Sequence, residues 1–259
     1  MEQAQTSDMP RADAGRSQAN AATSVLVPPQ TSRGFCLALL TPLALLAAAV
    51  AALAVDLPLA HWCLNSHNKI GQELIRIFSP AEAYGHGIGL VFVLLAIYQL
   101  DPGRRWVLVR LATMALAAGL MADVVKLLVL RTRPREFNFL GGVGDTFGQW
   151  LPLWHGLSGQ QSMPSGHTAL AVGLALGLAW VYPRGRWLFP AMAAMVACQR
   201  ITGGAHYLSD TLVAASLGCL SAAIFQKGPR VVSLFGRLEN RLGAGHNHMR
   251  PSNPAGRRT

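Results

Sequence analysis

Charge is what this chain of 259 residues has least of: 13% of its residues are charged, where a soluble globular domain carries about 25%. The shortage falls on acids, with 12 Asp and Glu against 22 Lys and Arg, for a formal net charge of +10. Cysteine is nearly absent too. Cys36, Cys63, Cys198 and Cys219 show no CxxC spacing and mostly lie in or beside apolar runs, so neither a disulfide framework nor a zinc site is supported. The first 33 residues hold no apolar core of a secretory signal. The basic residues stand in short turns and at the C-terminal end instead of alternating with aromatics over a surface, which argues against nucleic-acid binding.

The chain does have apolar blocks, and with a mean hydropathy of +0.32 they read as a polytopic membrane protein. After a polar tail at 1–33, Gly34–Val55 is a continuous apolar run of helical span length. Asp56–Arg76 reads as an extramembrane loop with a short interfacial helix over Ile70–Phe78. Ser79-Pro80-Ala81-Glu82 has the form of a capping box that opens a second span to Leu100, with Gly85, Gly87 and Gly89 suited to close helix contact. His86, near its start, reads as a polar boundary residue. Further spans are predicted over Trp106–Leu130, His167–Tyr182, Trp187–Gln199 and Thr211–Phe225, and a basic, polar tail over 226–259.

The expectation is therefore an all-α, six-helix membrane bundle at 34–225. Its termini share a side with the Arg104-Arg105 and Arg184–Arg186 turns, which the positive-inside rule makes cytoplasmic. Lys126, Arg131, Arg133, Arg135 and Arg200 then face outward, against that bias. Cations at membrane depth are costly and usually functional.

The outward loop ends gather two imidazoles, one carboxylate, several cations and a helix start. Lys126 and Arg133, seven apart, are expected on one helical face, with Asp123–Lys126 as a competing ion pair. His206 and Asp210, four apart, are expected to stack so that the carboxylate fixes the imidazole tautomer. Pro164-Ser165-Gly166-His167 opens a helix whose amides can approach an anion. No carboxylate pair is evident, so the set suits an anion better than a divalent metal. Phosphoryl transfer needs charge neutralisation, an in-line nucleophile and a proton for the leaving alcohol, and these residue types can supply all three.

The spacing Lys126-x6-Arg133-Pro134, Pro164-Ser165-Gly166-His167 and Arg200-x5-His206-x3-Asp210 resembles the three-part signature of the type 2 phosphatidic acid phosphatase superfamily. The resemblance implies a plasma- or inner-membrane, multi-pass lipid phosphatase acting on a phospholipid or polyprenyl phosphate through a phosphohistidine. By it, His206 is the nucleophile, Asp210 its orienting partner and His167 the general acid. Lys126, Arg133, Ser165, Gly166 and Arg200 cradle the phosphate, and no metal or other cofactor is implied. A phosphotransferase of the same superfamily and a non-catalytic lipid-phosphate binder are the alternatives. One departure from the motif is Gln199, where the family usually has serine.

Overall fold

The computed structural model describes residues 32–65, 69–150 and 161–247. The polar N-terminal tail up to residue 31, the stretch 151–160 with Trp154, and the end of the basic tail lie outside the described residues. Eight α-helices are described: α1 Ser32–Leu64, α2 Lys69–Phe78, α3 Gly87–Leu100, α4 Leu108–Lys126, α5 Gly166–Val181, α6 Leu188–Thr202, α7 Leu208–Lys227 and α8 Pro229–Asn247. A short antiparallel ladder pairs β1, Val129–Arg131, with β2, Phe147–Trp150.

Among the described residues, three helical stretches are long and apolar enough to cross a bilayer: Gly34–Leu64, Pro102–Lys126 and Leu208–Lys227. Lys69–Gly85 and Gly87–Leu100 meet at a 66° bend and count as a fourth only if the pair is one span. α5 and α6, of 16 and 15 residues, are about 24 and 22 Å long, short of a hydrocarbon core of about 30 Å. For α5 the reason is its place. It packs against α4, α6 and α7 at the centre of the bundle, with Ala169, Ala171, Leu174 and Ala175 almost wholly buried, so its ends meet protein and need not reach the lipid boundary.

Small residues set that packing. A Cβ on Gly173 would stand 3.0 Å from Ala118 Cβ and 3.1 Å from the Met114 carbonyl, so α4 and α5 touch nearly backbone to backbone. Ser221 and Gln226 of α7 complete the join by donating to the Met114 and Leu176 carbonyls at 2.7 and 3.0 Å. The glycines expected to mediate close helix contact divide differently. Gly85 lies under Val196 and the His167 backbone, Gly89 turns against Ala83 of its own chain, and Gly87 meets nothing.

Four expectations are corrected. Asp56 is not in a loop: α1 runs on to Leu64 and buries Asp56 to 1% exposure. Ser79 makes no capping box, because Ser79–Gly85 is a 3₁₀ segment whose cap position is Phe78 and the Glu82 carboxylate turns to Gln199 and Arg200 instead. The Trp106–Leu130 helix ends at Lys126, since the chain leaves it to form β1. Arg133 is therefore not two turns beyond Lys126 on a helix but in extended chain before the turn Pro134–Glu136. The start of the basic tail folds as α8. The amphipathic helix expected over Ile70–Phe78 is present as α2.

The basic turns collect at one end. Arg104 stacks on the Tyr182 ring at 4.6 Å while the Tyr182 hydroxyl donates to Asp101 at 3.1 Å, so the turns at 101–105 and 182–186 are neighbours. Lys126, at the other end of the 19-residue α4, is about 28 Å away along the helix.

Gly173→Val should separate α4 from α5. Overpacking of this kind costs about 1–3 kcal/mol, read as a lowered unfolding midpoint in detergent, whereas Gly87→Ala, in open space, should leave that midpoint unchanged.

Candidate active site

Arg131 is the residue around which the histidine end is assembled. As the last residue of β1 it has no exposure, and every arm of its guanidinium is engaged. Nη2 donates to Asp56 Oδ2 at 2.8 Å, Nη1 to Asp210 Oδ1 at 2.5 Å and to Ser209 Oγ at 2.7 Å, and Nε to Thr146 Oγ1 at 3.1 Å. The Tyr207 and Phe147 rings face it at 4.1 and 4.6 Å. Ser209 closes the ring by bonding Asp56 through both its backbone N–H and its hydroxyl. A guanidinium, with five N–H donors in a planar fork, can bond Asp56, Asp210, Ser209 and Thr146 at once; an ammonium has only three donors.

The backbone at and just after β1 ties in two more loops. Ser162 N–H donates to the Arg131 carbonyl at 2.7 Å, and Arg135 N–H, in the turn Pro134–Glu136 that follows the strand, donates to the Gly204 carbonyl at 3.1 Å. The segment before α5 is thus fixed to β1 and the segment before α7 to the turn after it.

His206 sits inside this framework at 3% exposure. Its Nδ1 bonds the Ser162 carbonyl at 2.5 Å, which makes Nδ1 the protonated nitrogen and leaves Nε2 with a lone pair. The expected direct bond from Asp210 is not among the contacts. The reason is local: α7 begins at Leu208, so His206 precedes the helix and i,i+4 stacking does not apply. Asp210, buried at the third helical position, instead accepts from Tyr207 N–H at 2.9 Å and from Ser162 Oγ at 2.5 Å. It holds the residue that holds the imidazole. Burial, and next the charge of Arg200, push the His206 pKa well below its ordinary 6.5, against the contrary effect of the Ser162 carbonyl. The neutral ring is the form present at neutral pH.

At the start of α5, Ser165 is the N-cap. Its hydroxyl oxygen accepts from Thr168 N–H at 3.4 Å and Thr168 Oγ1 at 3.0 Å, and it is fully buried. The amides of Gly166 and His167 are in the first turn and have no intrahelical acceptor. Lys126 Nζ would stand 3.5 Å from a Cβ on Gly166, so the lysine lies beside those amides, and it pairs with Asp123 at 2.9 Å. Arg200 closes the far wall: Nη1 bonds Glu82 at 2.8 Å, while Gln199 donates to the other Glu82 oxygen at 3.1 Å. The longer arm of Gln199 therefore joins a Glu82-centred clamp on Arg200. His86 caps α3 by accepting from Ile88 N–H at 3.3 Å, and its ring lies 5.5 Å from that of His167.

Lys126, Arg133 and Arg200 all act electrostatically on His206, so the three cations and the imidazole share one neighbourhood. Arg133 makes a long contact, 3.4 Å, to the Gln161 carbonyl. Asp56, Ser162 and Glu82 were missed as contributors by motif spacing, and Arg131 was marked only as one of the cations set against the topological bias. Asp56 carried a signal as well, as a lone acid against an apolar run of span length.

These features define a class: a helical membrane protein in which arginines, a lysine, helix-start amides and a buried neutral imidazole gather at one end of the bundle. The PAP2 superfamily model matches residues 107–230, so this region of the chain is similar to that superfamily. The chain is 30% identical over 113 residues to a lipid A 1-phosphatase of Rhizobium etli, covering 44% of this chain and 46% of the relative. It is 30% identical over 114 residues to that of Rhizobium johnstonii, covering 42% and 44%. The chain spans less than half the length of these curated relatives. Among solved structures, a transmembrane PAP2-type phosphatidylglycerolphosphate phosphatase from Bacillus subtilis aligns with a TM-score of 0.46 and 17% identity, over 73% of this chain and 96% of that one.

Arg131→Met should strand two buried carboxylates. Removing one side of a buried ionic cluster costs about 3–5 kcal/mol, so the unfolding midpoint in detergent should fall sharply. Arg131→Lys should not restore it, for want of the fork.

Proposed function

We propose that the protein is an integral membrane lipid phosphatase that releases the terminal phosphate of a phospholipid, glycolipid or polyprenyl phosphate through a phosphohistidine on His206. The observation that carries this reading is the buried, neutral His206 imidazole, held through Nδ1 by the Ser162 carbonyl amid Lys126, Arg133 and Arg200.

In the first step the Nε2 lone pair of His206 attacks phosphorus and the bond to the lipid oxygen breaks. His167 donates a proton to the departing alcohol. In the second step water attacks the phosphohistidine, the P–N bond breaks, inorganic phosphate leaves, and the water proton passes to His167. Lys126, Arg133, Arg200 and the Gly166 and His167 amides neutralise the equatorial oxygens, with Ser165 fixing the helix start. Asp210 orients His206 through Ser162. No metal enters this scheme.

The lipid A 1-phosphatases among the relatives make a lipid glycosyl phosphate the first substrate to test. Six spans with both termini cytoplasmic, a site on the outward face of the plasma or inner membrane, and a catalytic unit at 34–225 between two tails complete the proposal. The shared end of the Arg104 and Tyr182 turns supports that orientation.

Purified protein in detergent with EDTA should release phosphate from lipid A, phosphatidic acid or a polyprenyl diphosphate. His206→Ala should lower kcat by at least about a thousandfold, and His167→Ala by about 10²–10⁴-fold, the usual worth of general acid catalysis. Metal-dependent release, or wild-type rates in both variants, would remove the mechanism.

The pH profile gives a separate check. His206 must be unprotonated to attack, and its pKa is depressed, so the acid limb of kcat/KM assigned to it should lie below pH 6.5. A His206-dependent limb above that value would contradict the buried neutral ring.

A further inference from the structure

α8 leaves the end of α7 after Gly228 and lies at the bundle end opposite the histidines, against the start of α4. Its inward face is fixed. Val232 and Glu239 are buried at 7% and 6% exposure, and Phe235 packs edge-on against Phe225 at 5.6 Å. Glu239 pairs with Arg110 of α4, with Nε–Oε1 and Nη2–Oε2 both at 2.8 Å, side chains almost wholly buried. The Arg110 guanidinium is stacked between the Trp180 and Phe235 rings at 5.0 and 5.5 Å. α8 is thus locked to a helix long enough to span the membrane.

Its other face has no partner among the described residues. Arg230, Leu234, Arg237 and Leu238, spaced four, three and one apart, lie along one side of the helix. Leu234 and Leu238 are 64% and 39% exposed, as is Val109 of α4 at 42%. With Phe235 and Arg237 these residues line a groove of about 420 Å³, within the size range of small-ligand sites. Arg230 and Arg237 are exposed, and neither has an acidic partner among the described residues, since Glu239 is taken by Arg110 and Asp101 by Arg104.

We propose that this groove binds one anionic phospholipid of the leaflet opposite the histidine end. An acyl chain lies along Val109, Leu234 and Leu238, and the phosphodiester sits at Arg237, with Arg230 two turns away adding to the local potential. The argument is complementarity of two kinds. The floor is apolar and continuous with the apolar face of α4, while the rim is cationic and unneutralised, which matches an acyl chain joined to a negative headgroup. A second copy of the chain is a poorer occupant, because apposing two such faces would bring arginines against arginines.

The test uses the full-length protein in neutral maltoside micelles, titrated with phosphatidylglycerol or phosphatidylcholine of identical chains, with bound lipid counted by native mass spectrometry. Phosphatidylglycerol, a phosphodiester, offers no terminal phosphate to His206. The wild type should retain phosphatidylglycerol preferentially. The paired change Arg230→Gln and Arg237→Gln should cut that preference by roughly tenfold or more, at about fivefold for each surface charge. Arg237→Lys should keep most of it, and Leu234→Ser should weaken both lipids. His206→Ala should bind phosphatidylglycerol like the wild type, which separates this site from the phosphatase reading. Equal retention of the two lipids by the wild type, or a preference unmoved by the paired change, would overturn the proposal. So would a dimer that the same changes dissolve. Because both arginines are exposed, unchanged circular dichroism is expected, and the Arg237→Lys variant provides a folded control.

Discussion

The arrangement of the histidine end depends on one buried cation. Arg131 is held by Asp56 from α1, Asp210 and Ser209 from α7 and Thr146 from the 143–146 turn, so elements separated along the chain converge on one side chain. Its ion pairs are fully removed from water, where breaking one partner is far costlier than the net worth of the pair. The cluster therefore constrains where these segments can sit more than it adds stability. The β1 backbone extends the constraint to Ser162, and the turn after it, through Arg135, to Gly204.

That constraint reaches the proposed chemistry through Ser162. Its backbone N–H is tied to Arg131, its hydroxyl to Asp210 and its carbonyl to His206. A serine engaged at three points cannot swing, and neither can the imidazole that depends on it. The acid expected to touch the histidine works at one remove, and its charge is balanced by Arg131 instead of being offered to the ring. Across the site Glu82 plays a comparable part for Arg200 and Gln199.

Motif residues were legible because each belongs to a residue type whose chemistry is distinctive: histidines, cations and a small-residue helix start at span ends. Lys126, Ser165, Gly166, His167, Arg200 and His206 were all singled out this way, and the structure brings them to one end of the bundle. The supporting residues were not. Arg131 looked like one more outward cation in a basic run, and Asp56 like the first residue of a loop, because burial of a charge depends on partners 75 and 79 positions away in the chain. The misplacement of Arg133 has the same root, since pairing with β2 takes the chain out of a helix that its apolar composition would have continued.

The sequence by itself determined that the chain is a helical membrane protein and where its chemically distinctive residues fall. Hydropathy and motif spacing are local properties, set within a span or a turn. Only the tertiary structure decided that α5 is short because protein surrounds it, that Asp56 and Asp210 share Arg131, and that Ser162 stands between Asp210 and His206. Those are contacts between distant segments, and their energies depend on burial and geometry that no local pattern encodes.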